Sequence, residues 1–467
     1  MRIVLSIVKW LAGLLLVALL ALVVWLWLAP PELIRVGASY TAKIVCSNVF
    51  LAGREADDVL REDVQAPGHP LLRLMWVRMD AEEGIVRTGL FGVFGNGLAV
   101  FRDGTGCAVV PDGDLAAVRE VAIEAPAATS HDETALWPEG EGADTSRHPD
   151  IAALLEDPAI VGPGLRAAVV VHDGRIVGER YGAGDAVPGR PLLGWSMTKT
   201  VNAAIAGTVV GSGRLSVEEE GLLQEWAGDQ RGEITLAHLL GLESGLAFNE
   251  DYNGVSDVTR MLYMEPDMAG FAANMPLLYR PGEHFSYSSG TSVILSRVWQ
   301  NAFADEEEAL AWPRRALFDP AGMETAVFET DARGTFVGSS YLYASARDWA
   351  RFGQLLLQEG IWEGRQVLPE GWVEWMRTPT QTSDGEYGRG LWMQGPRVMT
   401  PRDRHQDDGF DLPDDAYWML GHDGQTITII PSRRLVVVRM GLTPTVLAYK
   451  PQILVEAVVK ALDRGEE

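Results

Sequence analysis

The sequence predicts an α+β fold in which an antiparallel β-sheet, flanked by helices, carries an inserted and mostly helical region. Two hairpin patterns predict the sheet: residues 167–178 have Asp173-Gly174 between apolar runs, and residues 426–440 have a polar turn at 431–434. The pattern between the hairpins is mostly helical, so both ends of this region are expected to complete one sheet. The predicted helices cover 197–212, 235–241, 291–302, 345–359 and 369–376, and a last helix over 445–462 closes the chain.

An apolar segment at the N-terminus predicts a transmembrane helix ahead of the sheet. Residues 10–29 carry no charged side chain and are long enough to cross a bilayer. Arg2 and Lys9 precede this run, which predicts that the N-terminus is cytoplasmic and the rest extracytoplasmic. Two prolines follow the run in place of a small-residue cleavage site, which favours an uncleaved anchor over residues 1–31 rather than a signal peptide. The expected location is the cell inner membrane, with a single pass and the rest of the chain on the periplasmic side.

The remaining chain divides into three predicted parts. Residues 32–124 are expected to form a small α/β module, with strand patterns at 72–77 and 98–101 and no chemistry that we can assign. Residues 125–149 are rich in Ala, Glu, Gly, Asp, Ser and Thr and predict a linker. Residues 150–467 are expected to form the main domain.

Charge and cysteine content limit the partners. The chain has 39 basic and 64 acidic residues, a net charge of −25, which argues against nucleic acid and anionic lipid headgroups as ligands. Cys46 and Cys107 form either one disulfide or two buried thiols. Cysteine and histidine do not cluster at metal-ligand spacing, so neither a metal nor another cofactor is expected. The oligomeric state stays open.

A serine and a lysine three residues apart are the first candidate catalytic pair. Lysine occurs only at positions 9, 43, 199, 450 and 460, and Lys199 follows Ser196 by three residues at the start of a helix-compatible run. Residues three apart share one helix face, so the hydroxyl and the amine can approach each other. Arginine cannot act as a base, whereas a desolvated lysine can. The alternative is a helix-capping serine beside a solvated surface lysine.

Two later motifs supply further candidate groups. Phe285-Ser286-Tyr287-Ser288-Ser289-Gly290 lies at a loop-to-helix junction, where the phenol of Tyr287 can pass a proton. Gly421-His422-Asp423-Gly424-Gln425 precedes the strand at 426–430, where small residues let a substrate carbonyl approach backbone N–H groups. Taken alone, each motif also fits a packed tyrosine or a tight turn with an exposed histidine.

Together and in this order, the three motifs resemble the signature elements of the serine β-lactamase and penicillin-binding protein superfamily. The resemblance covers residues 150–462 and is closest to the class C-like branch, within it to the 6-aminohexanoate-dimer hydrolases. It implies a β-lactamase-like fold. This sequence has Ser289 where β-lactamases carry Asn, and His422 where they carry Lys. Both departures put β-lactam hydrolysis in doubt, and both suit amide or ester hydrolysis of other small substrates.

The resemblance implies catalytic roles for Ser196 as nucleophile, Lys199 as base and Tyr287 as proton donor to the leaving group. The oxyanion would lie between the backbone N–H groups of Ser196 and Gln425. The resemblance also implies that the substrate is contacted by His422, Ser289, Gly424 and Tyr252. Tyr252 resembles a substrate-contacting loop tyrosine of the 6-aminohexanoate-dimer hydrolases. The alternative is that Tyr252 is a surface tyrosine without a role.

The sequence therefore predicts a serine hydrolase of a small-molecule amide or ester that works through an acyl-enzyme. Two other functions stay open. One is a D-amino peptidase, carboxypeptidase or esterase that acts on cell-envelope components. The other is a non-catalytic, penicillin-recognising sensor domain.

Overall fold

The structure contains the helices and hairpins predicted above, with differences at their ends, and further short elements that the sequence analysis did not predict. The computed structural model describes residues 2–66, 68–124, 132–182 and 187–466. Its helices are α1 (Arg2–Leu28), α2 (Glu32–Phe50), α3 (Ala56–Val59), α4 (Leu115–Glu120), α5 (Pro149–Leu155), α6 (Pro158–Val161), α7 (Thr198–Gly211), α8 (Leu236–Leu240), α9 (Asp257–Met264), α10 (Met268–Ala273), α11 (Ser289–Asn301), α12 (Glu306–Pro313), α13 (Ala346–Leu357), α14 (Trp372–Arg377) and α15 (Gln452–Glu466).

Most of the strands form small antiparallel sheets, and one larger antiparallel sheet has five strands. They are β1 (Met75–Asp80), β2 (Ile85–Leu90), β3 (Phe94–Arg102), β4 (Gly106–Val109), β5 (Asp132–Leu136), β6 (Gly140–Gly142), β7 (Leu165–His172), β8 (Arg175–Tyr181), β9 (Leu192–Leu193), β10 (Val327–Phe328), β11 (Leu342–Ala344), β12 (Ile361–Trp362), β13 (Arg365–Gln366), β14 (Tyr417–Leu420), β15 (Thr426–Ile430) and β16 (Leu435–Gly441). The pair β5–β6 is the exception, because it is parallel.

The central sheet is antiparallel throughout, with the strand order β14-β15-β16-β7-β8. Successive side chains of strand β7 point to opposite faces of this sheet. Val169 and Val171 belong to the core cluster that includes helix α13, whereas Ala168 and Val170 belong to the cluster that includes α15. Both faces are therefore covered by helices, and strands from both ends of the region join in one sheet. The predicted α+β fold with an inserted helical region is confirmed.

The last helix begins later than predicted. The sequence pattern places its start at residue 445, but the structure begins α15 at Gln452. Residues Thr445–Leu447 form a 3₁₀ turn, and Ala448 follows with a φ of +55°, a left-handed conformation that an α-helix cannot contain. Pro451 then directly precedes the helix. The prediction of this start was wrong because an apolar run was read across a turn.

The first predicted strand of the N-terminal region is also shifted. Residues Pro70–Leu74 form a 3₁₀ helix, and the strand covers Met75–Asp80 instead of 72–77. A proline at the start of the segment suits the first position of a helical turn, which moves the extended backbone downstream. The predicted strand at 98–101 lies within β3.

Helix α1 is mostly exposed and meets the packed core near its C-terminal end, where Leu26 packs against the core cluster and the helix contacts β3. Its Ile3–Leu28 stretch is long and apolar enough to cross a membrane, and none of it is buried inside the protein. Helix α2 follows after only three residues and behaves oppositely, because it packs across the sheet β1–β4 with most of its residues buried. An exposed apolar helix is therefore followed, within three residues, by a helix that is mostly buried in the protein.

A disulfide joins α2 to the N-terminal sheet. Cys46 of α2 and Cys107 of β4 are bonded, with their Cα atoms 6.1 Å apart. Of the two states that the sequence leaves open for these cysteines, the structure has the disulfide.

The predicted linker at 125–149 contains ordered contacts with the main domain. Residues 125–131 lie outside the described residues. Beyond them, Trp137 is fully buried, and Glu141 accepts hydrogen bonds from Arg347 and Arg351 of α13. The domain boundaries at 32–124, 125–149 and 150–467 stay predictions.

Candidate active site

Ser196 lies in a strained turn between β9 and α7. The turn Trp195–Met197 is a short 3₁₀ helix that continues into α7. Trp195 is buried and has a φ of +49°, which is uncommon for a residue with a large side chain and is found most often at functional sites. Hydrogen bonds from Gly194 N to Leu342 O (3.0 Å) and from Met197 N to Gly194 O (3.2 Å) hold this turn. The turn therefore presents Ser196 at a fixed position before the helix.

Lys199 lies in the first turn of α7, with only 4% of its surface exposed. Its Nζ is 3.2 Å from Ser196 Oγ, 3.1 Å from Ser289 Oγ and 3.2 Å from the carbonyl oxygen of Ser339. A solvated surface lysine, the alternative for this residue, would have no such surroundings. The structure places Ser196, Lys199 and Ser289 in one cluster.

The cluster is held by a hydrogen-bond network between α7 and α11. Asn202, one helical turn after Lys199, donates to the carbonyl oxygen of Ser292 at 2.9 Å. Its Oδ1 accepts from Ser296 Oγ (3.1 Å) and from Trp299 Nε1 (2.9 Å). All four residues are buried, so the network fixes the two helices that carry Lys199 and Ser289 relative to each other.

An acidic side chain that the sequence analysis did not select completes the cluster. Glu250 accepts hydrogen bonds from the backbone N of Ser289 at 2.8 Å and from Ser289 Oγ. The hydroxyl of Tyr252 lies 3.3 Å from Glu250 Oε1 and 3.4 Å from Ser289 Oγ. The enclosure of this hydroxyl raises the pKa of Tyr252, and the Glu250 carboxylate raises it further. Tyr252 therefore stays protonated near neutral pH.

Tyr287 lies beside Lys199 with its ring towards the amine. Lys199 Nζ is 4.6 Å from the centroid of this ring, a cation–π distance. The rings of Trp392 and Tyr387 lie 5.2 and 6.1 Å away and hold Tyr287 from the other side. The hydroxyl of Tyr287 makes no hydrogen bond with any part of the chain that the structure describes. It is free to bind a substrate group.

The third motif packs directly against the turn of Ser196. A Cβ added to Gly421 would come within 2.5 Å of the carbonyl oxygen of Gly194, so only glycine allows this approach. Asp423 and Gly424 both have left-handed backbone, with φ of +57° and +78°. The fully buried Arg439 supports this backbone, because its guanidinium donates to Gly424 O at 2.8 Å. The same guanidinium donates to Val161 O at 2.8 Å.

His422 closes one side of the site. Its ring lies 5.6 Å from the ring of Trp195 and 5.7 Å from that of Tyr252. The adjacent Asp423 carboxyl is enclosed, which raises its pKa, while His422 lowers it in part. The structure thus places His422 and Tyr252 together at the edge of the serine cluster.

The backbone N–H groups of Ser196 and Gln425 are the candidates for holding an oxyanion. Within the described ranges, neither the N–H of Ser196 nor that of Gln425 donates a hydrogen bond to a protein group. The side chain of Gln425 is occupied elsewhere, because it donates to Gly441 O (2.6 Å) and accepts from Gly441 N (2.9 Å). Free N–H groups in such a turn can bind a developing oxyanion.

Six of the eight residues selected from the sequence contact one another in this cluster, whereas Gly424 and Gln425 follow His422 in the third motif. Three contributors were missed. They are Glu250, the carbonyl of Ser339 and the guanidinium of Arg439. The first had a weak signal, since it stands two residues before Tyr252 in the same loop. The other two act through long-range packing, which no local sequence pattern shows.

Comparison with known proteins agrees with this arrangement. A family model described as Beta-lactamase matches residues 157–443. The 6-aminohexanoate-dimer hydrolase of Paenarthrobacter ureafaciens is 25% identical over 245 residues, which are 49% of this chain and 60% of that protein. The match thus spans less than two thirds of the length of this curated relative.

Solved structures share the fold at low sequence identity. A Bacillus anthracis protein provisionally named 6-aminohexanoate-dimer hydrolase superposes with a TM-score of 0.52 at 21% identity, over 79% of this chain and 90% of its own. A penicillin-binding protein of Bacillus halodurans gives a TM-score of 0.50 at 16% identity, over 67% of this chain and 99% of its own. At these identities the likeness concerns the fold alone.

Proposed function

The chain belongs to the Beta-lactamase family, and from this membership and the Ser196 cluster we propose that it is a serine hydrolase of a small amide or ester. Its relatives include an amide hydrolase, the 6-aminohexanoate-dimer hydrolase. The observation that carries the proposal is the distance of 3.2 Å between Lys199 Nζ and Ser196 Oγ at a buried amine. Ser289 and His422, which replace the Asn and Lys of β-lactamases, favour substrates other than β-lactams.

The hydrogen bonds of Lys199 support its role as a base. Ser289 has one hydroxyl hydrogen, which it donates to Glu250, so its oxygen accepts from Lys199. The carbonyl of Ser339 is also an acceptor. A neutral amine has two N–H donors and one lone pair. In the neutral amine, the two N–H groups would donate to Ser289 Oγ and to the Ser339 carbonyl, which would leave the lone pair for the proton of Ser196 Oγ. Glu250 is thus a positioning residue that acts through Ser289.

The proposed reaction has two steps with conventional roles. Ser196 attacks the substrate carbonyl while Lys199 takes its proton, and the N–H groups of Ser196 and Gln425 stabilise the oxyanion. Tyr287 then gives its proton to the leaving nitrogen or oxygen as the bond between this atom and the carbonyl carbon breaks, and it regains a proton from Lys199, which leaves the acyl-enzyme. Water cleaves the ester and restores Ser196. His422, Gly424 and Tyr252 lie where they would contact the substrate.

Labelling by a fluorophosphonate probe tests this proposal. We expect mass spectrometry of the full-length protein to find the probe on the peptide that contains Ser196, and the Ser196→Ala variant to be unlabelled. Ser212→Ala, at the other end of α7, is the control and should label like the wild type. A probe that reacts with no serine would instead favour a sensor domain without turnover, and a probe on a different serine would show that Ser196 is not the nucleophile.

A Tyr287→Phe variant should lose about 10² to 10⁴-fold in kcat when the leaving group needs a proton. We expect this loss with a p-nitroanilide amide and a much smaller loss with a p-nitrophenyl ester, because p-nitrophenolate leaves without protonation. The control is Tyr417→Phe, which removes a buried hydroxyl that has no hydrogen-bond partner among the described groups. Equal losses for the amide and the ester would contradict the assigned role of Tyr287.

We further propose that α1 anchors the enzyme in the inner membrane, with the hydrolase domain on the periplasmic side. Helix α1 is long and apolar enough for this, and the charges of Arg2 and Lys9 support the orientation.

A further inference from the structure

A cavity of about 490 Å³ adjoins the serine cluster, large enough for a small organic ligand. It lies between α2, the segment before β1 and the loops of the site. Trp195, Tyr252 and His422 belong to its wall, and the Tyr252 hydroxyl is 3.4 Å from Ser289 Oγ. The cavity therefore borders the serine cluster through Tyr252, and it borders Ser196 through the adjacent Trp195.

The wall of this cavity is polar at the serine cluster and apolar away from it. Beside Tyr252 and His422 it includes Asn253 and Asp423. The part formed by α2, the 3₁₀ helix before β1 and the loop after β16 is mostly apolar: it has Leu33, Val36, Leu71, Leu72, Pro444 and Val446, beside Tyr40, His69 and Thr445. This distribution fits a ligand that is polar at one end and carries an apolar chain.

The apolar part of the cavity lies close to the end of helix α1. Leu33 follows Leu28, the last residue of α1, by five residues, a distance of at most about 17 Å even along an extended chain. Trp25 and Trp27, near the end of α1, are of the type that marks the membrane interface. If α1 spans the membrane, this side of the cavity is at the bilayer surface.

Exposed apolar side chains surround the same region. Leu33 is 38% exposed and Val446 is 86% exposed. Around the β2–β3 turn, which lies next to α1, Trp76, Phe91 and Val93 are also exposed. Such a group of exposed apolar residues is unusual on a soluble surface and typical of a membrane contact. With a net charge of −25, attraction to anionic headgroups would not explain this contact.

We propose that the cavity binds the apolar chain of an amide or ester that resides in the membrane, and so presents its polar scissile bond to Ser196. This proposal rests on the serine hydrolase function and on α1 as an anchor. It assigns the substrates to lipid-like amphiphiles rather than to small water-soluble amides.

Chain-length dependence tests the proposal on the full-length enzyme. We expect kcat/KM to rise at least tenfold from p-nitrophenyl acetate to p-nitrophenyl decanoate. Leu33→Glu should remove this gain and leave acetate turnover unchanged, because it puts a charge on the apolar part of the wall alone. Ile361→Glu, at a residue of similar exposure (41%) outside the cavity, is the control. A wild-type enzyme without the gain, or a gain that survives in Leu33→Glu, would overturn the proposal.

A binding measurement separates the failure of this proposal from the failure of the hydrolase function. Dansyl-labelled undecanoic acid should bind the Ser196→Ala variant, which cannot turn over, with increased fluorescence. Adding Leu33→Glu, or Val446→Glu at the more exposed position, should weaken this binding at least tenfold, and Ile361→Glu should not. Undiminished binding in both cavity variants would overturn the chain site even if ester hydrolysis is confirmed. Binding without any hydrolysis would refute the proposed function alone.

The source of the substrate is tested in vesicles. In the first arrangement, the enzyme is reconstituted in phosphatidylcholine vesicles that also contain a fluorogenic N-palmitoyl amide. In the second, the enzyme and the amide are in different vesicles, and the two vesicle preparations are mixed. Turnover that is at least tenfold faster in shared vesicles supports a substrate drawn from the membrane. Equal rates in both arrangements would mean that the chain arrives through water, which overturns the membrane source.

Discussion

A Lys199→Arg variant is expected to lose at least about 10³-fold in kcat/KM towards a p-nitrophenyl ester. Arginine keeps its proton at any pH at which the enzyme is folded, so it cannot accept the proton of Ser196. The positive charge is retained in this variant, so the loss cannot come from the charge alone. Steady-state kinetics on purified full-length protein measures the effect.

Two further variants separate the chemistry of Lys199 from its packing, since the amine is buried and a larger guanidinium can disturb the site. In Lys199→Ala the space of the side chain is vacated, and added methylamine should restore activity at least tenfold if an amine base is what is missing. Lys450→Arg, where Nζ lies 3.3 Å from Thr400 Oγ1 away from the site, should behave like the wild type. A Lys199→Arg enzyme that keeps a tenth of the wild-type kcat/KM would show that Lys199 is not the base.

The parts of the site that the sequence could predict are those encoded within a few residues of each other. Ser196 and Lys199 share one helix face, so their approach follows from a spacing of three. Glu250 reaches Ser289 from 39 positions away, and Ser339 reaches Lys199 from 140 positions away, both through the packing of separate segments. A local pattern carries no information about such contacts, because loop geometry decides them.

In the fold, too, the features that could be predicted are those set by a few neighbouring residues. Residues 426–430 alternate within a buried sheet and end at a proline turn, and the predicted strand has the observed bounds. The start of the last helix was predicted less accurately than this strand. Apolar residues at 446 and 447 continue the pattern, whereas Ala448 takes a left-handed backbone that residues other than glycine and asparagine seldom adopt.

Removing one partner of the buried Lys43–Glu329 pair is expected to cost about 3 to 5 kcal/mol of unfolding free energy. Lys43 is on α2 and Glu329 follows β10, and their side chains are 2% and 0% exposed. Glu329 also accepts from Ser47 Oγ (2.8 Å) and from the backbone N of Cys107 (2.7 Å). Burial lowers the pKa of Lys43, and the Glu329 carboxylate offsets this in part. Lys43→Met would leave a buried carboxylate without its counter-charge.

A double-mutant cycle measured by urea unfolding isolates the pair. Lys43→Met and Glu329→Met should each destabilise strongly, and the double variant should recover part of the loss, because no unpaired charge then remains buried. The control is Arg119→Met, which removes one partner of an exposed pair with Glu83 and should cost less than about 1 kcal/mol. Losses below 1 kcal/mol in both single variants would contradict the role of the pair.

The same experiment decides whether residues 32–124 are an independent module. Among the described residues, the groups that hydrogen-bond the Glu329 carboxylate come from this region, on α2 and β4, while the backbone of Glu329 bonds to Tyr341 and Val337 within the hydrolase domain. If the region unfolded alone, Glu329 would lose all of these partners at once, so its unfolding must destabilise the neighbouring domain. We therefore expect one cooperative transition, in which Trp137 and Trp226 become exposed at the same urea concentration as the N-terminal sheet. Two separate transitions would show instead that the predicted module folds by itself and that the buried pair does not couple it to the catalytic domain.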